Sequence, residues 1–204
     1  MIENYNDFIK FLSTLTYKPT LLLHSCCAPC SSYTIELLKE YFDVTIFYSN
    51  DNIYPYNEFV IRSEEQIHFA NEVHNLKVIV DDYDDSNYKQ VVKGLENLGE
   101  GSKRCYECYK MRMLRTCEYA KNNNFEYFTT TLSISPYKNS NYINEIGYNL
   151  EKEYGVKYLY SNFKKKEGYK KSIELSRKFD LYRQDYCGCI YSLAERRNHE
   201  WKKH

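Results

Sequence analysis

Leu21-Leu22-Leu23-His24-Ser25-Cys26-Cys27-Ala28-Pro29-Cys30-Ser31-Ser32, near the start of a 204-residue chain, decides the fold. The apolar run of three leucines reads as a short buried strand. Three cysteines follow it at once. Ser31 or Ser32 is then placed to cap a helix that runs through Ile35, Leu37 and Leu38. Strand, tight turn and helix put the thiols at the carboxyl end of a strand and beside a helix N-terminus, where the helix dipole favours thiolate over thiol.

The same alternation recurs outward along the chain. Strands are expected at 20–24, 44–48, 77–80, 127–131 and 156–160. Helices are expected at 3–15, 31–42, 56–74, 86–97, 106–121, 141–154 and 169–179, with a last one after Cys189. Strands alternating with helices predict an α/β fold: a mostly parallel sheet of about five strands flanked by helices, HUP/Rossmann-like, with a C-terminal helical segment. Sites in such sheets form outside the carboxyl ends of the strands, at a switch point. The thiol turn, the Asn50–Pro55 loop and the loop after the fourth strand all belong to that edge. Residues 1–204 read as one domain, with 164–204 as a basic segment closing over the site.

Hydrophobic residues make up 43% of the chain, enough for a sizeable core, while 7 glycines and 4 prolines argue against long disordered stretches. No 18-residue apolar run is present, so no membrane span is expected. The first residues, Met1-Ile2-Glu3-Asn4-Tyr5, lack the basic and apolar regions of a signal peptide. A cytoplasmic protein is expected, and in that reducing compartment eight cysteines point to metal or redox chemistry before disulfides. The formal net charge is zero but uneven: Lys164–His204 holds 12 Lys/Arg against 6 Asp/Glu, which leaves the preceding residues at −6. That balance suits a phosphate backbone as well as it suits a solvated helix face.

Seven cysteines fall in three groups: Cys26/Cys27/Cys30, Cys105/Cys108 and Cys187/Cys189. C-x-x-C spacing lets two thiolates reach one metal centre from a single turn, and two such groups supply four ligands for Zn²⁺ or a [4Fe–4S] cluster. Seven thiols exceed what a structural zinc needs. Cys187-Gly188-Cys189 offers either a strained, easily reduced disulfide or two ligands for a second metal ion. Cys117 stands alone at helical spacing from Leu114 and reads as a core residue. His24, beside the thiols, is either an imidazolium that lowers their pKa or a hydrogen-bonded core histidine.

Taken together, Leu22–Cys30, Asn52-Ile53-Tyr54-Pro55, Arg104–Arg112, Phe128–Pro136 and Leu181–Ser192 resemble, in order and across most of the chain, the cobalamin-independent epoxyqueuosine reductases of the QueH family. The resemblance implies the last step of queuosine biosynthesis, reduction of the epoxide of epoxyqueuosine in a tRNA anticodon loop to an alkene. It implies a [4Fe–4S] cluster on Cys26, Cys27, Cys105 and Cys108. Cys187 and Cys189, with Cys30, are then either ligands of an adjacent mononuclear iron or, for the C-x-C pair, a redox-active disulfide. The family position of Cys30 also takes Asp, so its role here stays open. An unidentified electron donor is required.

Asp51 and Asp185 are the carboxyls expected to protonate the departing oxygen. Lys164–Lys166, Arg177, Lys178, Arg183, Arg196 and Arg197 are candidate phosphate contacts, and Phe163 or Tyr169 a candidate stacking surface for an unstacked base. Two rivals stand against this reading. One is a cluster-dependent tRNA-modifying enzyme using ATP, which the glycine-free turn after the first strand argues against. The other is a zinc-stabilised RNA-binding module.

Overall fold

The computed structural model describes the backbone of residues 2–201 and the side chains of residues 2–197. The last three residues of the basic segment, 202–204, lie outside the described residues. Five strands, β1 (Thr20–His24), β2 (Asp43–Tyr48), β3 (Val78–Val80), β4 (Tyr127–Thr130) and β5 (Lys157–Tyr158), form one sheet in the order β3-β2-β1-β4-β5. Every pairing is parallel, with Leu22 of β1 opposite Thr45 of β2 and Phe128 of β4. The chain leaves β1 toward β2 on one side and returns to β4 on the other. The carboxyl end of β1 is therefore the topological switch point, where such sheets bind ligands.

Period-two alternation in β1 divides the core. Leu21 and Leu23 face a layer with Phe8, Ile35, Phe42, Phe69 and Phe163, whereas Leu22 faces the opposite layer with Met113, Cys117, Phe128 and Ile146. The first layer is roofed by α1 (Tyr5–Thr14), α2 (Ala28–Leu38) and α7 (Gly168–Lys178), and the second by α5 (Lys103–Asn122) and α6 (Ser140–Tyr154). The expected core role of Cys117 holds: it is fully buried. Phe163 is also fully buried in the first layer, so it presents no stacking surface, contrary to expectation.

Several boundaries differ from the sequence reading. Helix α2 begins at Ala28 with Cys27 as its N-cap, so neither Ser31 nor Ser32 caps it. Pro29 explains the shift: its preset φ and missing N–H suit the first helical turn. Both serine hydroxyls instead turn back on the helix, onto the carbonyls of Ala28 and Pro29 at 3.1 and 3.0 Å. The helix expected at 86–97 closes early as α4 (Asp85–Val91), and Gly94 and Gly101 take positive φ in the turns that follow. The fifth strand keeps two residues of the five expected. The helix expected at 56–74 is α3 (Tyr56–His68), continued by a π-helical turn over Phe69–Val73. The C-terminal segment adds α7 and α8 (Ile190–Trp201).

Candidate active site, a buried thiol centre

The turn after β1 is held from three sides. The Ser25 amide donates to the Phe47 carbonyl of β2 at 2.9 Å. The Ser25 and Ser31 hydroxyls both donate to Gln66 Oε1 of α3, at 2.6 and 3.0 Å. Asn50, at the end of β2, donates to the Ser25 carbonyl at 2.9 Å. Each side chain is buried, so the bonds hold their full value against desolvation. The sulfurs of Cys26, Cys27 and Cys30 are thereby brought within 4.8 Å of one another, with Cys26 and Cys27 at 3.8 Å.

One sulfur takes the charge for the group. Hydrogen bonds from Cys27 and Cys30 hold the Cys26 pKa well below that of an ordinary thiol, and the charges of Lys138 and Arg112 act in the same direction. The thiols that donate pay the complementary cost: Cys27 is pushed up to about 12 and Cys30 well above the usual value. Gln184 Nε2 adds a donor to Cys27 Sγ at 3.0 Å. His24 is a core histidine, so its imidazolium reading is overturned. Burial, then the Arg112 charge, lowers its pKa to about 3, and its ring nitrogens sit 2.8 Å from Thr130 Oγ1 and 3.1 Å from the Ser49 carbonyl oxygen.

The other four site cysteines approach from α5 and from the segment before α8. Cys105 and Cys108 lie in the first two turns of α5. Burial raises both thiols, Cys108 to about 12. Cys108 packs with Cys189, Tyr88 and Val92. Cys187 and Cys189 flank Gly188, whose φ of +125° L side chains rarely adopt. Cys187 lines a cavity of about 310 Å³ together with Cys26 and Cys30. Cys189 immediately precedes α8, and its sulfur accepts the Ser192 amide at 3.4 Å. All eight cysteines are free thiols.

The C-x-C loop is gripped by the Asn52–Pro55 loop. The Tyr54 amide donates to the Gly188 carbonyl at 2.8 Å, and Tyr186 Oη donates to the Tyr54 carbonyl at 2.6 Å. Arg62, buried and paired with Glu58 at 2.7 Å, adds an N–H to the Cys187 carbonyl at 3.4 Å.

Sequence reasoning overlooked a set of buried cations. Arg112 lies one helical turn beyond Cys108 and donates to Asn50 Oδ1 at 3.2 Å. Its Nε and Nη2 are buried without a partner. Burial opposes its charge, and the neighbouring sulfurs of Cys108 and Cys26 support it. Arg104 Nε and Arg62 Nη2 are orphaned in the same way. Lys138 lines the thiol cavity. One signal was available in the sequence: Arg104, Cys105, Cys108 and Arg112 share a face at i, i+1, i+4 and i+8.

The proposed acids separate. Asp185 lines the thiol cavity and pairs with Arg196 at 3.0 Å. Asp51 lines a different cavity of about 380 Å³, between α4 and α5. It accepts the Asp84 amide at 3.1 Å and the Asn87 side chain at 3.3 Å at the start of α4. Of the candidate phosphate contacts, Lys164 is engaged internally, donating to the Lys138 carbonyl at 2.7 Å, while Lys165, Lys166, Arg177, Lys178, Arg183 and Arg197 are exposed. Tyr169 lines the thiol cavity.

An all-sulfur donor set, with orphaned buried N–H groups around it, suits a soft metal centre with charged sulfur. Fold and site define a class: a parallel α/β domain carrying a thiol centre at the switch point where related folds hold a nucleotide phosphate. The chain belongs to the family described as epoxyqueuosine reductase QueH, whose model matches residues 21–195. It is 41% identical over 180 residues to the epoxyqueuosine reductase QueH of Streptococcus pyogenes serotype M1, covering 86% of this chain and 71% of that protein. The Acinetobacter baylyi protein of the same name is 44% identical over 177 residues, covering 86% and 81%. The Thermotoga maritima protein is 40% identical over 181 residues, covering 87% and 92%.

Proposed function

We infer that this chain reduces the epoxide of epoxyqueuosine in tRNA to the alkene of queuosine. The observation that carries the reading is the buried triad of Cys26, Cys27 and Cys30 at the switch point of the sheet, with Cys187 lining the same cavity, in a chain of this family. Two electrons and two protons enter, and one water leaves. The residues fit a [4Fe–4S] cluster on Cys26, Cys27, Cys105 and Cys108. Cys30 and Cys187, which share a cavity with Cys26, fit a neighbouring mononuclear iron, with Cys189 as a further thiol on the Cys108 side. When bound, such a centre supplies one-electron transfers and Lewis acidity. Cys187 lines the cavity while Cys189 packs beside Cys108, and both are free, which favours separate ligands over a disulfide.

The protein's own part is to bind, charge and orient. Arg112 favours the charged form of Cys26 and Cys108, Arg62 that of Cys27 and Arg104 that of Cys105. Gln184 directs a donor at Cys27. Of the two carboxyls, Asp185 is the better placed to move a proton, because it lines the thiol cavity and Asp51 does not. The anticodon loop presents its modified base at the cavity mouth, with exposed Arg183 and Lys165–Lys166 near its phosphates. Residues 1–204 act as one domain, 164–204 closing over the thiols, in the cytoplasm where tRNA is modified. The electron donor is a separate partner.

Anaerobically purified protein, supplied with reductant and epoxyqueuosine-bearing tRNA, should yield a nucleoside one oxygen atom lighter by mass spectrometry. It should be brown and contain iron and sulfide. A colourless, zinc-loaded protein that binds the tRNA and leaves it unchanged refutes the reductase and supports the RNA-binding module. Cys187→Ala and Cys189→Ala should each abolish turnover; wild-type rates in either remove that residue from the centre.

A further inference from the structure

Lys138 is a buried cation with no hydrogen-bond acceptor among the described residues. The residue is 8% exposed, yet it lines the thiol cavity beside Cys26, Cys30 and Cys187. A buried ammonium is costly unless something charged or polar meets it. The loop that carries it is firmly set. Its own amide donates to the Ser135 carbonyl at 3.3 Å, and Lys164 Nζ donates to the Lys138 carbonyl at 2.7 Å. Within that loop Tyr137 and Ser135 line the same cavity, but Tyr137 is 74% exposed whereas the lysine is buried. Burial opposes its charge, and the charge held on Cys26 favours it. Thiolates engaged as metal ligands are poorer acceptors, which leaves the ammonium available to whatever enters the cavity.

We propose that Lys138 is a further catalytic residue, a charged N–H donor to the epoxide oxygen of the bound nucleotide; this rests on the reductase reading above. Its hydrogen bond places the oxygen and stabilises the negative charge that grows there as the C–O bonds break. Both C–O bonds are lost, a C=C bond forms between the two former epoxide carbons, and the oxygen leaves as water. The two electrons come from the reductant that the reaction requires, and the two protons from water reaching the open cavity. Lys138 keeps its own proton throughout.

The test compares wild type, Lys138→Met and Lys138→Arg after anaerobic purification. It measures iron and sulfide per chain, Kd for epoxyqueuosine-bearing tRNA, and kcat and KM. The expected result for Lys138→Met is unchanged iron and sulfide, a Kd within about threefold of wild type, and a kcat reduced about 100-fold or more. Lys138→Arg, which keeps a charged donor, should recover about a tenth of the wild-type kcat. Lys138→Gln replaces the Met variant if Met destabilises the loop, with the same expected loss. A neutral variant with a kcat within about threefold of wild type overturns the proposal. So does loss of iron in parallel with activity, which would make Lys138 a support of the metal centre. Wild-type protein that leaves epoxyqueuosine intact overturns the reductase reading, and the proposal with it.

Discussion

Cys26 is the sulfur at which the site's charges meet. It takes hydrogen bonds from Cys27 and Cys30 and feels both Lys138 and Arg112. Arg112 reaches it through structure as well as charge: Arg112 donates to Asn50, and Asn50 donates to the Ser25 carbonyl next to Cys26. This short chain of bonds links the helix of Cys105 and Cys108 to the turn of Cys26 and Cys27. Arg112→Gln should therefore weaken retention of iron against a chelator about 10- to 100-fold, the usual effect of removing a group that supports metal ligands. Undiminished retention would limit Arg112 to packing. A second residue-scale prediction concerns pH. Burial, then the charges of Lys39 and Lys178, lowers the His74 pKa from 6.5 to about 4. Its Nδ1 lies 3.2 Å from Lys39 Nζ, which suits neutral imidazole only. The unfolded chain binds that proton at higher pH than the folded one. The stability His74 contributes is therefore complete above pH 6.5 and is lost as pH falls toward about 4. Urea midpoints should decline from pH 6.5 to 5, and His74→Gln should flatten part of the decline.

Elements are placed by a few close approaches. α7 docks on α2 where Gly168 meets the Phe163 carbonyl; a Cβ there would sit 1.8 Å from that oxygen and 2.7 Å from the Tyr33 ring. The oxygen is backbone and cannot swing away. Gly168→Ala should cost about 1–3 kcal/mol or more, read as a lower urea midpoint. The C-x-C loop depends on Gly188 in another way. A side chain there is strained by a φ of +125° and would meet Arg62 Nη1 at 3.1 Å and Ile53 at 3.2 Å. Gly188→Ala should displace Cys187 and Cys189 and lower kcat at least tenfold, with a smaller change in global stability than Gly168→Ala. A wild-type kcat would show that the loop's grip on Gly188 is dispensable. At this scale the sequence was legible wherever local chemistry is strong. Strand β1 holds the apolar run with one residue on either side, and α6 is capped by Gly155, which takes the left-handed conformation expected of a C-cap. The error at α2 had a local cause as well. Pro29 and Ser31 both signal a helix start, and the proline prevailed.

At the scale of the whole molecule, charge and cavity are arranged together. The exposed basic residues belong to the segment that also supplies Cys187, so the face that would meet phosphates adjoins the chemistry. tRNA affinity should fall steeply between low and physiological salt, with a linear log–log slope set by the number of phosphates neutralised. Charge-reversal at Arg183 should weaken binding without altering iron content. Salt-independent binding would remove this face from recognition. Among the described residues no helix is long and apolar enough to cross a membrane, in keeping with the absence of an apolar run in the sequence.

The sequence by itself determined the α/β class, the three thiol groups, the core role of Cys117 and the family. These rest on local signals: apolar runs, C-x-x-C spacing and contiguous motifs. Only the tertiary structure decided which sulfurs meet. It also decided that His24 is neutral, that Phe163 is core, that Lys164 is a strap for the loop of Lys138, and that Asp51 and Asp185 occupy different cavities. The reason is physical. The site is assembled from segments far apart along the chain, and a charge such as that of Arg112 or Lys138 acquires meaning only when burial removes water from around it. In the sequence each is one more basic residue; in the fold Arg112 keeps two buried N–H groups without a partner and Lys138 lines the thiol cavity.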